Sequence, residues 1–449
     1  MRFAPNLYTR LMSARNKTLA VAAAVLETGF CWLILKQDEP SREASAIALL
    51  LGTFVVYLIS VFLILNKTQS DGVVASSWPV RGILLAAMVF RLTVWWLEPR
   101  FTDDLYRYRW EARLQLAGGN PYRVSPQDPA VQFLRDETFF QIPGRDARAV
   151  YGPLTLLVYR ETFRWIERFA TRPEQQVFWL KLPSAIFDLG LLGALWALVR
   201  AGGWDGQRIL IYAWAPLPIF EFWGNGHNDP LALCPLVLAW WAAVSGRWLI
   251  CFFLLGLSAA AKIWPVVLAP LLVWPSRWRQ SLLLPATVVL LLAPFGDGLL
   301  SNGRLLLGFL GGWRNNDSVF GFLLWLTGDP RWATSAACLL VVAAIVYARV
   351  KRLPLTQGGL VVVSTLLFVS ANCHPWYLTW LIPLLVFHPS LALLTWTGLI
   401  PLAYEVLPAW RLLGEWRGLT AGRWLIYAPV FTLLAYEGVV NMFQKKSIR

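Results

Sequence analysis

Two adjacent carboxylates, Asp103 and Asp104, open the stretch Arg100 to Tyr122, RFTDDLYRYRWEARLQLAGGNPY, the first long polar run after an apolar segment. A carboxylate held beside a hydroxyl can take its proton as a new bond forms, which is general base catalysis. Further along, polar groups interrupt apolar sequence at His227-Asn228-Asp229, at Lys262, at Arg314 with two Asn after it, and at His374. Cations of this kind can stabilise negative charge that develops on a leaving group. The Asp pair also has a purely structural reading, with Thr102 as N-cap and both acids in a first helical turn, where the helix dipole favours negative charge. A lone His at a helix end is more often structural as well, but two of the three His in this chain open helix-starting turns near the same cations.

The elements that must position these groups follow from periodicity. After Thr102, Leu105, Tyr108, Ala112 and Leu116 fall near one stripe with Trp110 beside it, while Arg107, Glu111 and Gln115 fall on another. This predicts an amphipathic helix lying along a membrane surface, ended by Gly118-Gly119-Asn120-Pro121. Across 449 residues the chain is 57% hydrophobic and only 15% charged, with a mean hydropathy of +0.52. That is too apolar for a soluble domain of this length. Apolar runs near the span of a bilayer recur from end to end, so the expected fold is all-α and polytopic, with roughly 12 to 14 crossings. The net charge of +14 sits in short basic clusters between apolar runs, which read as cytoplasmic anchors and not as a nucleic-acid surface. Cys31, Cys234, Cys251, Cys338 and Cys373 lie in or at the end of apolar runs and form no disulfide framework.

In chain order, Arg2, Arg10, Arg15 and Lys17 precede the run Thr18 to Leu35, read as an uncleaved first helix. With that basic N-terminus inside, the runs Ser45 to Leu65 and Gly82 to Leu97 place the Asp pair in an external loop, 98–176. A second surface helix is expected over Tyr151 to Phe169, entered through the rigid turn Tyr151-Gly152-Pro153. Trp248 to Trp274 is too long for one upright span and carries Lys262 and Pro265 at its middle, so two short helices should meet near Lys262. A second external loop runs from Gly296 to Arg331, and both termini are expected inside. No linker divides the chain, which reads as one integral membrane domain in three stretches, 1–81, 82–295 and 296–449. On this topology the unusual polar residues gather at the outer side.

An external site beside lipid lies out of reach of cytoplasmic nucleotide donors, and no P-loop, G-x-G-x-x-G or metal-ligand spacing is present. A lipid-linked donor needs a cationic patch for its phosphate and a carboxylate for the incoming nucleophile, and both residue types occur there. In order, DDLYRYRWEARLQLAGGNPY from Asp103, YGPL at Tyr151, GHNDP at Gly226, AKIWP at Ala261 and HPWYLTWLIPLL at His374 resemble the polyprenyl-phosphate-sugar-dependent glycosyltransferases of the GT-C superfamily. The resemblance spans roughly Gly82 to Phe387 and is nearest to the mannosyltransferase-like group called glycosyltransferase family 87. It implies an inverting transfer of a hexose such as mannose from a polyprenyl-phosphate donor to a lipid or glycan acceptor hydroxyl, with Asp104 or Asp103 as the base. It also implies phosphate contacts from Lys262 and His374, which Arg314 is expected to join. Tyr106, Glu111, Tyr151, His227, Asn228, Asp229, Trp376 and Tyr377 are the expected substrate contacts. No cofactor is expected, and metal dependence is left open. Membrane lipids are the remaining partners, in a bacterial inner membrane with the site facing the periplasm. Two other classes compete. Intramembrane charges at Glu27, Arg91, Lys181 and Asp188 would suit a transporter or flippase of an anionic lipid-linked sugar, and a scaffold subunit would need no chemistry.

Overall fold

The computed structural model describes residues 4–39, 41–66, 78–296, 314–414, 416 and 420–447. Arg2, Arg449 and most of the second external loop, 297–313, lie outside the described residues. Among the described residues the chain is helical with no strand, and its one isolated bridge joins Asn315 to Asn372. Helices α1 (Ala4–Leu35), α2 (Arg42–Leu65) and α3 (Trp78–Trp95) come first. In α2 a stripe of Ala46, Leu50, Phe54, Tyr57, Val61 and Ile64 is buried at helical spacing. The opposite face presents Val55, Ile59 and Phe62, each more than half exposed, a face suited to hydrocarbon. Among the described residues, six helices are long and apolar enough to cross a membrane: Arg15–Leu35, Arg42–Leu65, Pro173–Ala201, Pro275–Phe295, Pro330–Val350 and Leu391–Leu413. Three shorter apolar helices accompany them, Pro230–Val244, Trp248–Ala261 and Leu355–Phe368. The protein is an all-α polytopic membrane protein.

The external loop carries α4 (Asp104–Leu116) and α5 (Pro153–Ile166), and α6 (Pro173–Trp179) leads into α7 (Leu182–Ala201). Helix α4 begins one residue later than Thr102 as N-cap predicts: Asp103 takes the N-cap position, and the Thr102 hydroxyl accepts the Asp104 N–H at 3.1 Å. The expectation of a helix lying on a surface fails for α4. Both of its stripes are buried, including Arg107, Arg109 and Glu111, because the segment 119–150 folds across its polar face. Arg107 donates to Glu111 at 2.7 Å and to the carbonyls of Gly144 and Ala147 at 2.9 and 2.8 Å. Arg109 donates to Gln176 at 2.7 Å and Asp136 at 2.8 Å. Helix α5 keeps its amphipathic pattern, with Leu156, Tyr159, Phe163 and Ile166 buried and Arg160, Glu161 and Arg164 paired on the open side.

Between Gly206 and Gly224 no regular span forms. Short helical pieces, Gly206–Ile209, Leu210–Ala213 and Pro216–Pro218, end in the π-helical turn Ile219–Gly224. Pro216 and Pro218 remove two backbone donors and force the break. Such irregular backbone is tolerated at membrane depth only where protein encloses it, and every residue of 209–237 is buried. The helix Trp248–Ala261 stops where expected, with Lys262 extended (φ −140°, ψ 143°) and a 3-10 turn, Trp264–Leu268, beyond it.

The intramembrane charges are paired within the protein. Arg91 meets Asp188 at 2.7 Å with both side chains fully buried, and Tyr212 and Trp223 also donate to that carboxylate, Trp223 at 2.8 Å. Lys181 donates to the carbonyls of Trp95 and Leu97 at 2.5 and 2.8 Å, at the C-terminal end of α3, and Thr93 donates to Glu27 at 2.5 Å. These groups tie helices to one another, as paired charges in apolar surroundings must.

Candidate functional site

The π-helical turn sets the site. Its register bonds Asn225 N–H to Phe220 O at 3.0 Å and His227 N–H to Glu221 O at 2.9 Å. Gly226 follows with φ +74°, where a Cβ would also press on the Lys181 side chain at 2.8 Å, so the turn requires glycine. His227 is thereby aimed at the start of α4, its Nδ1 3.5 Å from Asp104 Oδ2 and its Nε2 3.5 Å from Glu221 Oε2. The imidazole lies flat against Trp376, with ring centres 3.9 Å apart, and His374 stacks on the same indole at 4.4 Å. The three rings form one stack, with an indole between two imidazoles.

Around this stack stand the cations and their partners. Lys262 Nζ is 2.6 Å from Asp229 Oδ1, which also accepts the Trp380 indole N–H at 2.6 Å. Trp380 stacks on Trp264 at 4.4 Å and on Tyr377 at 4.8 Å, and Lys262 sits 5.8 Å over the Tyr377 ring. Asn315 places its amide nitrogen 3.0 Å from His374 Nδ1 and accepts the Trp416 indole N–H at 3.0 Å. The backbone bonds Asn315 N–H to Ala371 O and Cys373 N–H to Asn315 O, at 3.0 and 2.9 Å, hold this segment against the His374 turn.

The charge states follow from these neighbours. Burial disfavours the ionised form of Asp104, but the contact with His227, followed by the attraction of His227 and of Lys262, outweighs it and holds the carboxyl below the usual range. Asp103 behaves oppositely: although the residue is exposed, desolvation by the protein around its carboxyl and repulsion from Asp104 push it up to about 6, against a contact with Trp410. Burial lowers His374 to about 4 despite the attraction of Asp104, so its imidazole is neutral near pH 7. With Asn315 donating to Nδ1, the remaining proton of His374 belongs on Nε2. Among the described residues no group of three His, Cys, Asp or Glu gathers as a metal site.

Of the residues singled out in the sequence, Asp104, His227, Asp229, Lys262, His374, Trp376 and Tyr377 come together. Asn228 is buried beside them with its amide nitrogen unpartnered. Tyr151 packs edge-on to Tyr108 at 5.0 Å, and Tyr108 places its hydroxyl 3.5 Å from Asp104. The turn at Gly152 rests on the helix end before Lys262: Gly152 N–H and the Thr155 hydroxyl both donate to Ala261 O, at 3.3 and 3.0 Å. Other residues point elsewhere. Glu111 lies two turns along α4 and is paired with Arg107. Tyr106 is half-buried beside Trp110 and Leu114. Asp103 has an exposed side chain. Arg314 is bound to Asp317 at 2.6 Å, which Arg423 also meets at 3.2 Å, so it is adjacent in sequence to Asn315 but engaged outside the stack. Sequence reasoning missed Glu221 and Trp380, and took Asn315 only as a neighbour of Arg314. An isolated carboxylate in the apolar run before GHNDP was the available signal for Glu221.

Neither a curated protein nor a solved structure matches the chain. A family profile described as "Alpha-(1->6)-mannopyranosyltransferase, N-terminal domain" matches residues 7–277, more than half of the chain. The matched stretch contains the Asp pair, the GHNDP turn and Lys262, and ends before the His374 motif. The chain therefore belongs to this alpha-(1->6)-mannopyranosyltransferase family and is a glycosyltransferase.

Proposed function

We propose that the protein transfers a hexose, mannose in the simplest case, from a polyprenyl-phosphate donor to a hydroxyl of a lipid or glycan acceptor, with inversion, on the extracytoplasmic face of a bacterial inner membrane. The observation that carries this reading is the meeting of one ionised carboxylate, Asp104, with Lys262, His227 and His374 around Trp376. Asp104 takes the acceptor proton as the acceptor oxygen bonds to the anomeric carbon, while the bond from that carbon to phosphate oxygen breaks. Lys262 spends one N–H on Asp229; an ammonium has two more, which suit the departing phosphate. His374 adds a neutral N–H from Nε2. The linkage in the family's description refines the reading: an α product formed by inversion requires a β-linked donor, and a 1→6 bond requires a primary hydroxyl on the acceptor. A bound phosphate also adds negative charge near Asp104, which raises its affinity for a proton towards that of a working base.

Asp103 is the second reading, because a carboxyl near 6 is better matched to proton abstraction at neutral pH. Its exposed side chain and its contact with Trp410 place it apart from the cations. The purified protein should be given a panel of polyprenyl-phosphate sugars and acceptors, scoring donor consumption and product, for wild type and for Asp103→Asn and Asp104→Asn. Asp104→Asn is expected to lose about 10²- to 10⁴-fold in rate with donor binding retained, and Asp103→Asn to stay within a few fold. Near wild-type turnover by both variants removes the catalytic role from this pair.

A further inference from the structure

Glu221 is fully buried, and burying a carboxylate without a cation is costly. Its hydrogen-bond partners are neutral: Tyr404 donates at 2.7 Å and Asn225 at 3.0 Å. Among the described residues, His227 is the one cation-capable group within ion-pair distance of it. The same imidazole faces Asp104 through its other nitrogen at an equal distance. His227 Nε2 is buried and makes no hydrogen bond as placed, although Glu221 Oε2 is 3.5 Å away; an imidazole with a proton on both nitrogens would turn an N–H towards each acid, whereas a neutral one turns a lone pair towards one of them. Three constraints fix its orientation: the backbone bond from His227 N–H to Glu221 O, the stack on Trp376, and the strained glycine before it. The π-helical register that presents Glu221 is a rare backbone form that is frequent at functional sites.

From this geometry we infer that Glu221, through His227, is a positioning residue for the base: the line Glu221–His227–Asp104 holds the Asp104 carboxylate ionised and aimed at the acceptor. The inference rests on Asp104 being the base. Among the described residues, the other charged or titratable groups facing this line are Lys262 and Asp229, which are paired with each other, His374 on Trp376, Tyr404 on Glu221, and Asp103, Tyr108, Tyr151, Tyr159 and Tyr377 around Asp104. The His227 contact is what most lowers the Asp104 carboxyl against its burial, so removing that imidazole makes Asp104 easier to protonate. A base protonated at higher pH moves the acid limb of the rate profile to higher pH.

The test is the pH dependence of kcat/KM in the full-length protein with polyprenyl-phosphate mannose and a short mannoside acceptor, comparing wild type, His227→Gln and Glu221→Gln. Loss of an opposite charge at this range shifts a carboxyl by about 1 to 3 pH units, so His227→Gln should move the acid limb upward by that amount. Glu221→Gln should move it in the same direction by less, with donor KM nearly unchanged; it also provides the answer if His227→Gln does not fold. A uniform loss of rate with the limb unmoved in both variants would mean that the pair is structural, and overturns the inference. Asp104→Asn separates the two claims: activity retained in that variant defeats the base assignment itself, whereas activity lost there with unmoved limbs in the other two defeats only the positioning role.

Discussion

His374 shows how burial alters a residue's expected chemistry. Its position in the sequence suggested a cationic phosphate contact, but enclosure lowers it to about 4, and its value at neutral pH is that of a fixed N–H donor oriented by Asn315. A donor without charge can be replaced by another neutral donor. His374→Gln should keep polyprenyl-phosphate affinity within a few fold, while His374→Ala, which removes the donor, should weaken it by about 10- to 150-fold, the worth of one hydrogen bond to a charged group. Equilibrium binding by tryptophan fluorescence measures both, and equal loss in the two variants would point to a cationic or packing role. Lys262 differs because its pairing with Asp229 keeps its ammonium compensated in an apolar surrounding.

Between elements, buried polar bonds hold the site's scaffold. Arg91 of α3 and Asp188 of α7 are joined at 2.7 Å, and Arg91 also donates to Ala213 O at 2.7 Å in the broken segment that leads to the GHNDP turn. Removing one partner leaves the other charge buried and unpaired, which typically costs about 3 to 5 kcal/mol. Asp188→Leu and Arg91→Met should each lower thermal stability in detergent sharply, and the double variant Arg91→Met/Asp188→Leu should recover a large part of the loss. Strict additivity of the single effects would show that the pair is not coupled. Near the site, the turn at Gly152 acts in a similar way: a Cβ there would collide with the Ala260 carbonyl, so glycine lets this turn approach the helix end that carries Lys262.

At the scale of the molecule, charge sets orientation. Arg349 lies in the last turn of the helix Pro330–Val350, and Lys351 and Arg352 follow it, the basic cluster that the sequence assigns to the cytoplasmic side. The external assignment of the Asp104 loop predicts that a membrane-impermeant maleimide applied to intact cells labels a cysteine at the exposed position Gln132 and not one at Arg352, which is also exposed. The reverse pattern would turn the site towards the cytoplasm and remove the reason for a lipid-linked donor.

Composition and periodicity alone determined that the chain is all-α and polytopic, that a helix starts at the Asp pair, and that the segment through Lys262 breaks there, because each depends on apolar length, on proline or on local capping. They could not settle which faces of α4 meet water: its polar stripe looks like a surface stripe until the segment 119–150 folds over it. Nor could they pair groups distant in sequence. Asn315 meets His374 across 59 positions and Trp380 reaches Asp229 across 151, and between Asp229 and Asp188 as partners for Lys262 only the fold chose Asp229. Periodicity reports the faces of one element, whereas a buried partner is chosen by how separate elements approach. For that reason Glu221, silent in an apolar run, became the second acid beside His227 only in the folded chain.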